Sequence, residues 1–137
     1  MQIPMADFRT EKDSLGEVTV PANARYGAQT QRAKDNFSVS DYTFPSAFIA
    51  AHVHIKRAAA RVNLGLGILD QTRHDAILKA CDAILAGSFA DQFPLDIYQT
   101  GSGTSTNMNV NEVVASVAND WVDASHRIHP NDHVNMS

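Results

Sequence analysis

Three stretches of the chain place apolar residues every three or four positions, the spacing that aligns side chains on one face of an α-helix. This spacing predicts a helix from Pro45 to about Gly65, a second from about Gln71 to Ala86, and a third that begins near Asn107. An amphipathic helix is stable when another element covers its apolar face. The sequence therefore predicts a mainly α-helical domain of packed helices.

Each predicted helix has its own set of residues expected in the core. They are Phe48, Ala51, Ile55, Ala59, Val62 and Leu66 in the first, Ala76, Ile77, Ala80, Cys81, Ile84 and Leu85 in the second, and Val110, Val113, Val114, Val117, Ala118, Trp121 and Val122 in the third. We also expect the aromatic rings of Phe89 and Phe93 in the core. The second helix has the clearest ends, because Asp70 suits an N-cap and Gly87 suits the position after the C-cap.

The rest of the chain is predicted to contain only short elements. Arg9 to Val20 is polar and is expected to be irregular, with a turn at Leu15-Gly16 and a short strand from Glu17 to Val20. A minor helix is expected near Gly27 to Asp35. No internal repeat or linker divides the sequence, and a chain near 150 residues can bury a core of its own, so residues 1–137 are expected to form one domain.

Composition and charge argue against several classes of function. The chain has 11 Lys and Arg against 15 Asp and Glu, a net charge of −4, whereas nucleic-acid binding depends mostly on positive charge. No apolar run approaches the roughly 20 residues that span a bilayer, and no signal peptide fits. The single cysteine, Cys81, cannot form an internal disulfide and is compatible with a reducing compartment. We expect a cytoplasmic protein that binds neither nucleic acid nor membranes.

A loop rich in glycine and hydroxyl groups directly precedes the third predicted helix. Its sequence is Gln99-Thr100-Gly101-Ser102-Gly103-Thr104-Ser105-Thr106. Glycine lets backbone approach a ligand closely, and the unpaired N–H groups at a helix N-terminus favour an anion. The loop therefore suits a small carboxylate, with hydroxyl donors at Ser102 and Thr104, although the same residues also suit a simple helix cap. No Gly-Lys-Ser/Thr follows, so a nucleotide phosphate loop is not indicated.

Three of the six histidines lie within eight residues near the end of the sequence, at His126, His129 and His133. Zinc is disfavoured, because no Glu follows His129 and no Cys is nearby. One interpretation is a turn or helix start at Pro130 with exposed histidines. The other is the wall of a polar pocket, in which imidazole and amide groups bind an anion and Asp132 orients a histidine. The spacing alone does not decide between them.

Other histidines and cations give weaker indications. His52 and His54 lie two apart on the first helix, so they point to different faces and are expected to be solvated or to pack against a helix. Arg9, Lys12, Arg25 and Arg32 could serve a carboxylate, but scattered cations are usually on the surface.

Four blocks of the sequence carry a family resemblance over nearly the whole chain. They are Arg9-Thr10-Glu11-Lys12-Asp13-Ser14-Leu15-Gly16-Glu17, Tyr26-Gly27-Ala28-Gln29-Thr30-Gln31-Arg32, the run from Asp91-Gln92-Phe93-Pro94-Leu95 through Gln99-Thr100-Gly101-Ser102-Gly103-Thr104 to Asn107-Met108-Asn109-Val110-Asn111-Glu112-Val113, and His129-Pro130-Asn131-Asp132-His133-Val134-Asn135. Together they resemble the N-terminal domain of class II fumarate hydratases, in the fumarase and aspartase superfamily. Aspartate ammonia-lyases tend to have Gly-Gly-Ala-Gly-Thr at the first substrate block, so Ser102-Gly103-Thr104 favours fumarate.

The resemblance implies a reaction and two binding segments. Ser102, Gly103 and Thr104 would contact substrate in the main site, and a second anion site near the entrance would comprise His129, Pro130, Asn131 and Asp132. The implied reaction is the reversible anti addition of water to fumarate, giving (S)-malate in the tricarboxylic acid cycle. A homotetramer is implied, and no metal or organic cofactor.

The resemblance also implies that catalytic groups lie elsewhere. The sequence ends at Met136-Ser137, where the family continues into a Ser-Ser-Asn block and a helical bundle. Those later segments supply the acid/base histidine, the catalytic serine loop and a lysine, so we expect no catalytic residue here and a chain that folds but does not catalyse alone. The alternatives are a domain of an aspartate ammonia-lyase-like enzyme and a stand-alone carboxylate-binding module.

Overall fold

The computed structural model describes residues 7–136, so the terminal Ser137 of the sequence lies outside the described residues. In chain order the elements are strands β1 (Phe8–Asp13) and β2 (Gly16–Pro21), followed by helices α1 (Ala28–Asn36), α2 (Ser46–Gly65), α3 (Gln71–Leu85) and α4 (Thr104–Ala118). Short 3₁₀ turns lie at Ala90–Gln92, Asn119–Trp121 and Ala124–His126, and a π-helical turn lies at Pro130–Val134. The predicted mainly α-helical fold with short β pieces is confirmed.

The N-terminal segment is more regular than predicted. β2 matches the predicted strand, and β1 pairs with it antiparallel as a two-stranded hairpin. The Arg9 guanidinium holds the hairpin to the chain that follows, since it donates to the carbonyl oxygens of Pro21, Ala24 and Tyr26 at 2.7–2.8 Å. Alternation of apolar and polar residues did not reveal β1, because Phe8 is its one apolar residue.

Helix α4 lies at the centre of the core. Its valines Val110, Val113, Val114 and Val117 are fully buried, and it packs against α1, α2 and α3. On α3, Ile77, Ala80 and Cys81 are also fully buried, as predicted. The ends of α3 are confirmed as well, because Asp70 accepts a hydrogen bond from the Arg73 N–H and Gly87 has a φ of 91° after the helix.

Two predictions about the core are wrong. On α2, the side chains buried against α3 and α4 are Ile49, Val53, Lys56, Ala60 and Asn63, whereas the four large residues of the predicted stripe, Phe48, Ile55, Val62 and Leu66, are 43% to 67% exposed. α4 ends at Ala118, so Trp121 lies in the following 3₁₀ turn and is 47% exposed. Phe89 and Phe93 are partly buried against the core.

Glu112 fixes the start of α1 against α4. Its carboxylate, which is buried, accepts hydrogen bonds from the N–H groups of Gly27 (2.8 Å), Gln29 (2.9 Å) and Thr30 (3.1 Å), and from the Thr30 hydroxyl (2.6 Å). A Cβ on Gly27 would come within 3.2 Å of this carboxyl group. A negative charge at a helix N-terminus satisfies unpaired N–H groups and the helix dipole together.

Candidate functional site

The glycine-rich loop turns sharply into α4. Gly103, the N-cap of this helix, has φ 74° and ψ 5°, a left-handed conformation that is costly for residues with a Cβ. Ser102, Gly103 and Thr104 are all exposed, and the hydroxyl oxygens of Ser102 and Thr104 are 2.8 Å apart, within hydrogen-bond distance. The two hydroxyl groups predicted to contact a carboxylate therefore lie side by side at the start of α4.

The first turn of α4 keeps backbone donors free. Thr106 donates its N–H and its hydroxyl to the Gln99 side-chain oxygen, at 3.1 and 3.0 Å. Within residues 7–136, the N–H groups of Thr104 and Ser105 have no protein acceptor. Unpaired N–H groups at a helix N-terminus can bind an anion. This turn therefore offers both backbone and hydroxyl donors for one.

The loop is anchored by two residues that spacing alone did not identify. Gln99 donates to the Asp96 carbonyl at 2.9 Å, in addition to its contacts with Thr106. The buried Asp96 carboxylate accepts the N–H groups of Val39, Ser40 and Tyr98. Burial alone would raise the pKa of Asp96, but the hydrogen bonds from Tyr98 and Ser40 outweigh it and hold the pKa below its ordinary value. Gln99 therefore anchors the loop to Asp96, and Asp96 is held in turn by Val39 and Ser40, which are distant in sequence.

The second predicted segment forms the start of a short π-helical turn. Pro130 is its first residue and His129 is the N-cap, which confirms the interpretation of a helix start at Pro130. His129, Asn131 and Asp132 are exposed, and Pro130 is half-buried. His129 Nδ1 accepts the Asn131 N–H at 3.2 Å and lies 3.4 Å from an Asp132 carboxylate oxygen. Asp132 is therefore close enough to influence the His129 ring.

The two predicted segments are linked, but they do not line one cavity. An open groove of about 970 Å³ is lined by His129, Pro130 and Asn131, together with Lys12, Arg25 and Arg127, whereas Ser102–Thr104 lie outside it. The link is the Asn135 side-chain oxygen. It accepts from Asn107, on the first turn of α4, at 3.2 Å and from Lys56 Nζ at 3.1 Å.

Lys56 is an unexpected member of this link. It is buried on α2, and burial lowers the pKa of its ammonium group. The helical pattern gave no indication of it, since Lys is rarely buried. Its neighbour His52 packs edge-on against the Phe48 ring, with centroids 4.8 Å apart, and burial followed by the charge of Lys56 lowers the pKa of His52.

Three of the four cations considered for a carboxylate have structural partners instead. Arg9 binds backbone carbonyls, Arg25 pairs with Asp120 at 2.8 Å, and Arg32 pairs with Asp13 at 3.0 Å. Lys12 is exposed at the groove. Among residues 7–136, no three His, Cys, Asp or Glu side chains converge as metal ligands. Over the same residues, no helix is both long and apolar enough to cross a membrane.

Comparison with known proteins identifies the family to which the chain belongs. The model of the Lyase family matches residues 16–137. A class II fumarate hydratase from Prochlorococcus marinus is 54% identical over 97% of this chain, and one from Halobacterium salinarum is 52% identical over 94%. The chain spans 30% and 28% of these two relatives. Most of each relative therefore has no counterpart in the sequence described.

Solved structures of related enzymes also resemble this chain in fold. A class II fumarase from Schistosoma mansoni superimposes with a TM-score of 0.89 at 45% identity, covering 94% of this chain and 28% of that one. A fumarate lyase:delta crystallin from Brucella melitensis, in its native form, gives a TM-score of 0.87 at 44% identity, covering 93% of this chain and 30% of that one. The hairpin and four helices are therefore similar to part of each of these larger structures.

Proposed function

The chain belongs to the Lyase family, and on that premise we propose that it forms the substrate-binding N-terminal part of a class II fumarate hydratase. The reaction is the reversible hydration of fumarate to (S)-malate. Relatives about half identical to the chain carry this name, which supports the proposal. Because the chain spans less than a third of them, groups outside the matched part complete the active site in this proposal. No catalytic residue, metal or organic cofactor is assigned to the chain itself.

The observation that carries the proposal is the set of donors at the start of α4. Dehydration of malate removes a weakly acidic C–H proton next to a carboxylate, so that carboxylate gains a second negative charge as an aci-carboxylate. Fixed donors must meet this charge as it develops. In the proposal, the hydroxyls of Ser102 and Thr104, the Gly103 turn and the free N–H groups of Thr104 and Ser105 supply them.

The second segment takes a different role in the proposal. His129, Pro130, Asn131 and Asp132 form a second anion site near the entrance, and the first three of them line the groove together with Arg127 and Lys12. We further propose that the complete enzyme is a cytoplasmic homotetramer.

A substitution at Thr104 tests the main site. A chimera is made in which residues 7–136 replace the matched part of the Prochlorococcus marinus relative, and fumarate hydration is followed by absorbance. Thr104→Ala is expected to lower the turnover number about tenfold or more, since one preorganised donor is commonly worth about 10²-fold in rate.

Thr72→Ala is the matched control, because Thr72 is also an exposed threonine in the first turn of a helix. It is expected to leave the turnover number within about twofold. Near-normal kinetics of the Thr104→Ala chimera would reject the role of Thr104 in the reaction.

A further inference from the structure

His129 and His133 are joined by two reciprocal hydrogen bonds. The His129 N–H donates to His133 Nδ1 at 2.8 Å, and the His133 N–H donates to the His129 carbonyl at 3.0 Å. The Asn131 N–H donates in turn to His129 Nδ1 at 3.2 Å. Each imidazole therefore uses its Nδ1 atom to bind a backbone N–H at the start of the π-helical turn.

These contacts determine where the ring protons lie. A backbone N–H can only donate, so each Nδ1 atom must carry a lone pair. A histidine with a lone pair on Nδ1 is neutral and holds its proton on Nε2. The arrangement is analogous to a capping box, in which the N-cap side chain binds a backbone N–H of the first turn and a residue further along reaches back to the N-cap N–H. Here imidazoles occupy both positions.

We propose that His133 is a positioning residue for the second anion site, because its neutral ring fixes the His129 backbone and thereby the turn that holds His129 as its Nε2–H tautomer. The anion then meets a neutral Nε2–H donor at His129 instead of an imidazolium. That an anion binds at this segment rests on the proposed function, whereas the neutral state of the two rings does not.

Unlike the Ser and Glu of an ordinary capping box, an imidazole side chain can change its charge near neutral pH. His133 is half-buried and faces Arg73 and Asp70 at the start of α3, and His129 and Asp132 on its own turn. Burial, followed by the charge of Arg73, lowers the pKa of His133 below its ordinary value of 6.5. The stabilisation from the hydrogen bond between the His129 N–H and His133 Nδ1 is therefore complete above pH 6.5, and it is lost as the pH falls through the lowered pKa of His133.

His129 has a second partner available when it is protonated. Its Nδ1 atom lies 3.4 Å from an Asp132 carboxylate oxygen. A proton on Nδ1 ends the acceptor role toward Asn131 and allows a charged hydrogen bond to Asp132. Protonation of Nδ1 would therefore exchange the contact with the Asn131 N–H for one with Asp132.

NMR of the 137-residue chain tests the inference. At pH 8, ¹H–¹⁵N correlations of the ring nitrogens are expected to show His129 and His133 as neutral Nε2–H tautomers. In His133→Phe, hydrogen exchange of the His129 amide is expected to accelerate by about three- to tenfold, the equivalent of one net hydrogen bond. In His133→Gln, the side-chain carbonyl can still accept this N–H. The protection factor of the His129 amide, which is its intrinsic exchange rate divided by its measured rate, is therefore expected to be kept and to stay constant between about pH 5 and 8.

His54→Phe is the matched control, because His54 is an exposed histidine on α2, and it should leave exchange of the His129 amide unchanged. Finding either ring as the Nδ1–H tautomer at pH 8, or an unchanged His129 amide in His133→Phe, would overturn the positioning role. Titration with fumarate separates the two proposals. A shift of the His129 Nε2 resonance supports the anion site. If both rings are Nε2–H tautomers but no such shift occurs, anion binding at this segment is rejected, whereas the inferred neutral state of the two rings is not.

Discussion

Cys81 shows how its surroundings make a reactive group inert. Its side chain is fully buried on α3, and burial followed by the charge of Asp82 raises the pKa of the thiol to about 12. At neutral pH such a thiol carries roughly a thousandth of the thiolate present at its ordinary pKa of 9, and the thiolate is the reactive form.

We therefore predict that iodoacetamide leaves Cys81 unmodified in the folded chain under conditions that alkylate it fully in urea. Intact mass measures the added group. Equal rates with and without urea would show that the packing around Cys81 opens freely, and would contradict its burial.

At the level of single residues, the sequence identified groups but not their partners. The pattern at Pro130 predicted the helix start, and His129 was a candidate from the start. The state of its ring could not be predicted, because it depends on a π-helical turn that brings the His133 ring to the His129 N–H. Gln99 and Asp96 were missed as anchors for a similar reason, since the Asp96 carboxylate binds Ser40, more than fifty residues away in sequence.

At the scale of the elements, α1 depends on one side chain outside itself. Only nine residues long, it is too short to be stable alone, and its N-terminal N–H groups are satisfied by Glu112 from α4. Glu112→Gln keeps one acceptor oxygen but brings an NH₂ group toward those donors. We predict a loss of about 2 kcal/mol in the free energy of unfolding, the order of a hydrogen bond to a charged group left unsatisfied.

Urea unfolding monitored by circular dichroism measures this loss. Glu17→Gln is the control, because Glu17 is exposed on β2, and its stability should stay within about 0.5 kcal/mol of the original chain. A Glu112→Gln variant as stable as the Glu17→Gln control would show that the carboxylate does not hold α1.

Helix α2 explains why the core was predicted less well than the elements. Its length was correct, but the helix carries two apolar faces, one through Ile49, Val53 and Ala60 and one through Ile55 and Val62. Periodicity cannot choose between two faces of equal spacing. The buried face also carries Lys56 and Asn63, which looked polar in the pattern and are satisfied by Asn135 and Met136 from the far end of the described chain. The ends of α3 were predictable because Asp70 and Gly87 act locally.

At the scale of the whole molecule, the exposed face of α2 predicts self-association of the isolated chain. Phe48, Ile55, Val62 and Leu66 form an apolar stripe about five turns long that residues 7–136 leave largely uncovered. Ile55→Lys combined with Val62→Lys is expected to reduce association in sedimentation equilibrium. Leu15→Lys, at an exposed leucine of the hairpin turn, is the control. A monomer at high concentration before any substitution, or an equal effect of Leu15→Lys, would contradict the stripe as the cause.

The proposed function also predicts that the chain is inactive alone. Its donors bind the negative charge of the intermediate, but the acid and base are assigned to groups outside the matched part. The most direct measurement is therefore the initial rate of fumarate hydration by the unmodified chimera and by the isolated 137-residue chain, each also assayed for release of ammonia from L-aspartate. We predict that the chimera hydrates fumarate, releases no ammonia, and that the isolated chain does neither. A folded chimera that deaminates aspartate instead of hydrating fumarate, or an isolated chain that hydrates fumarate by itself, would contradict the proposed function.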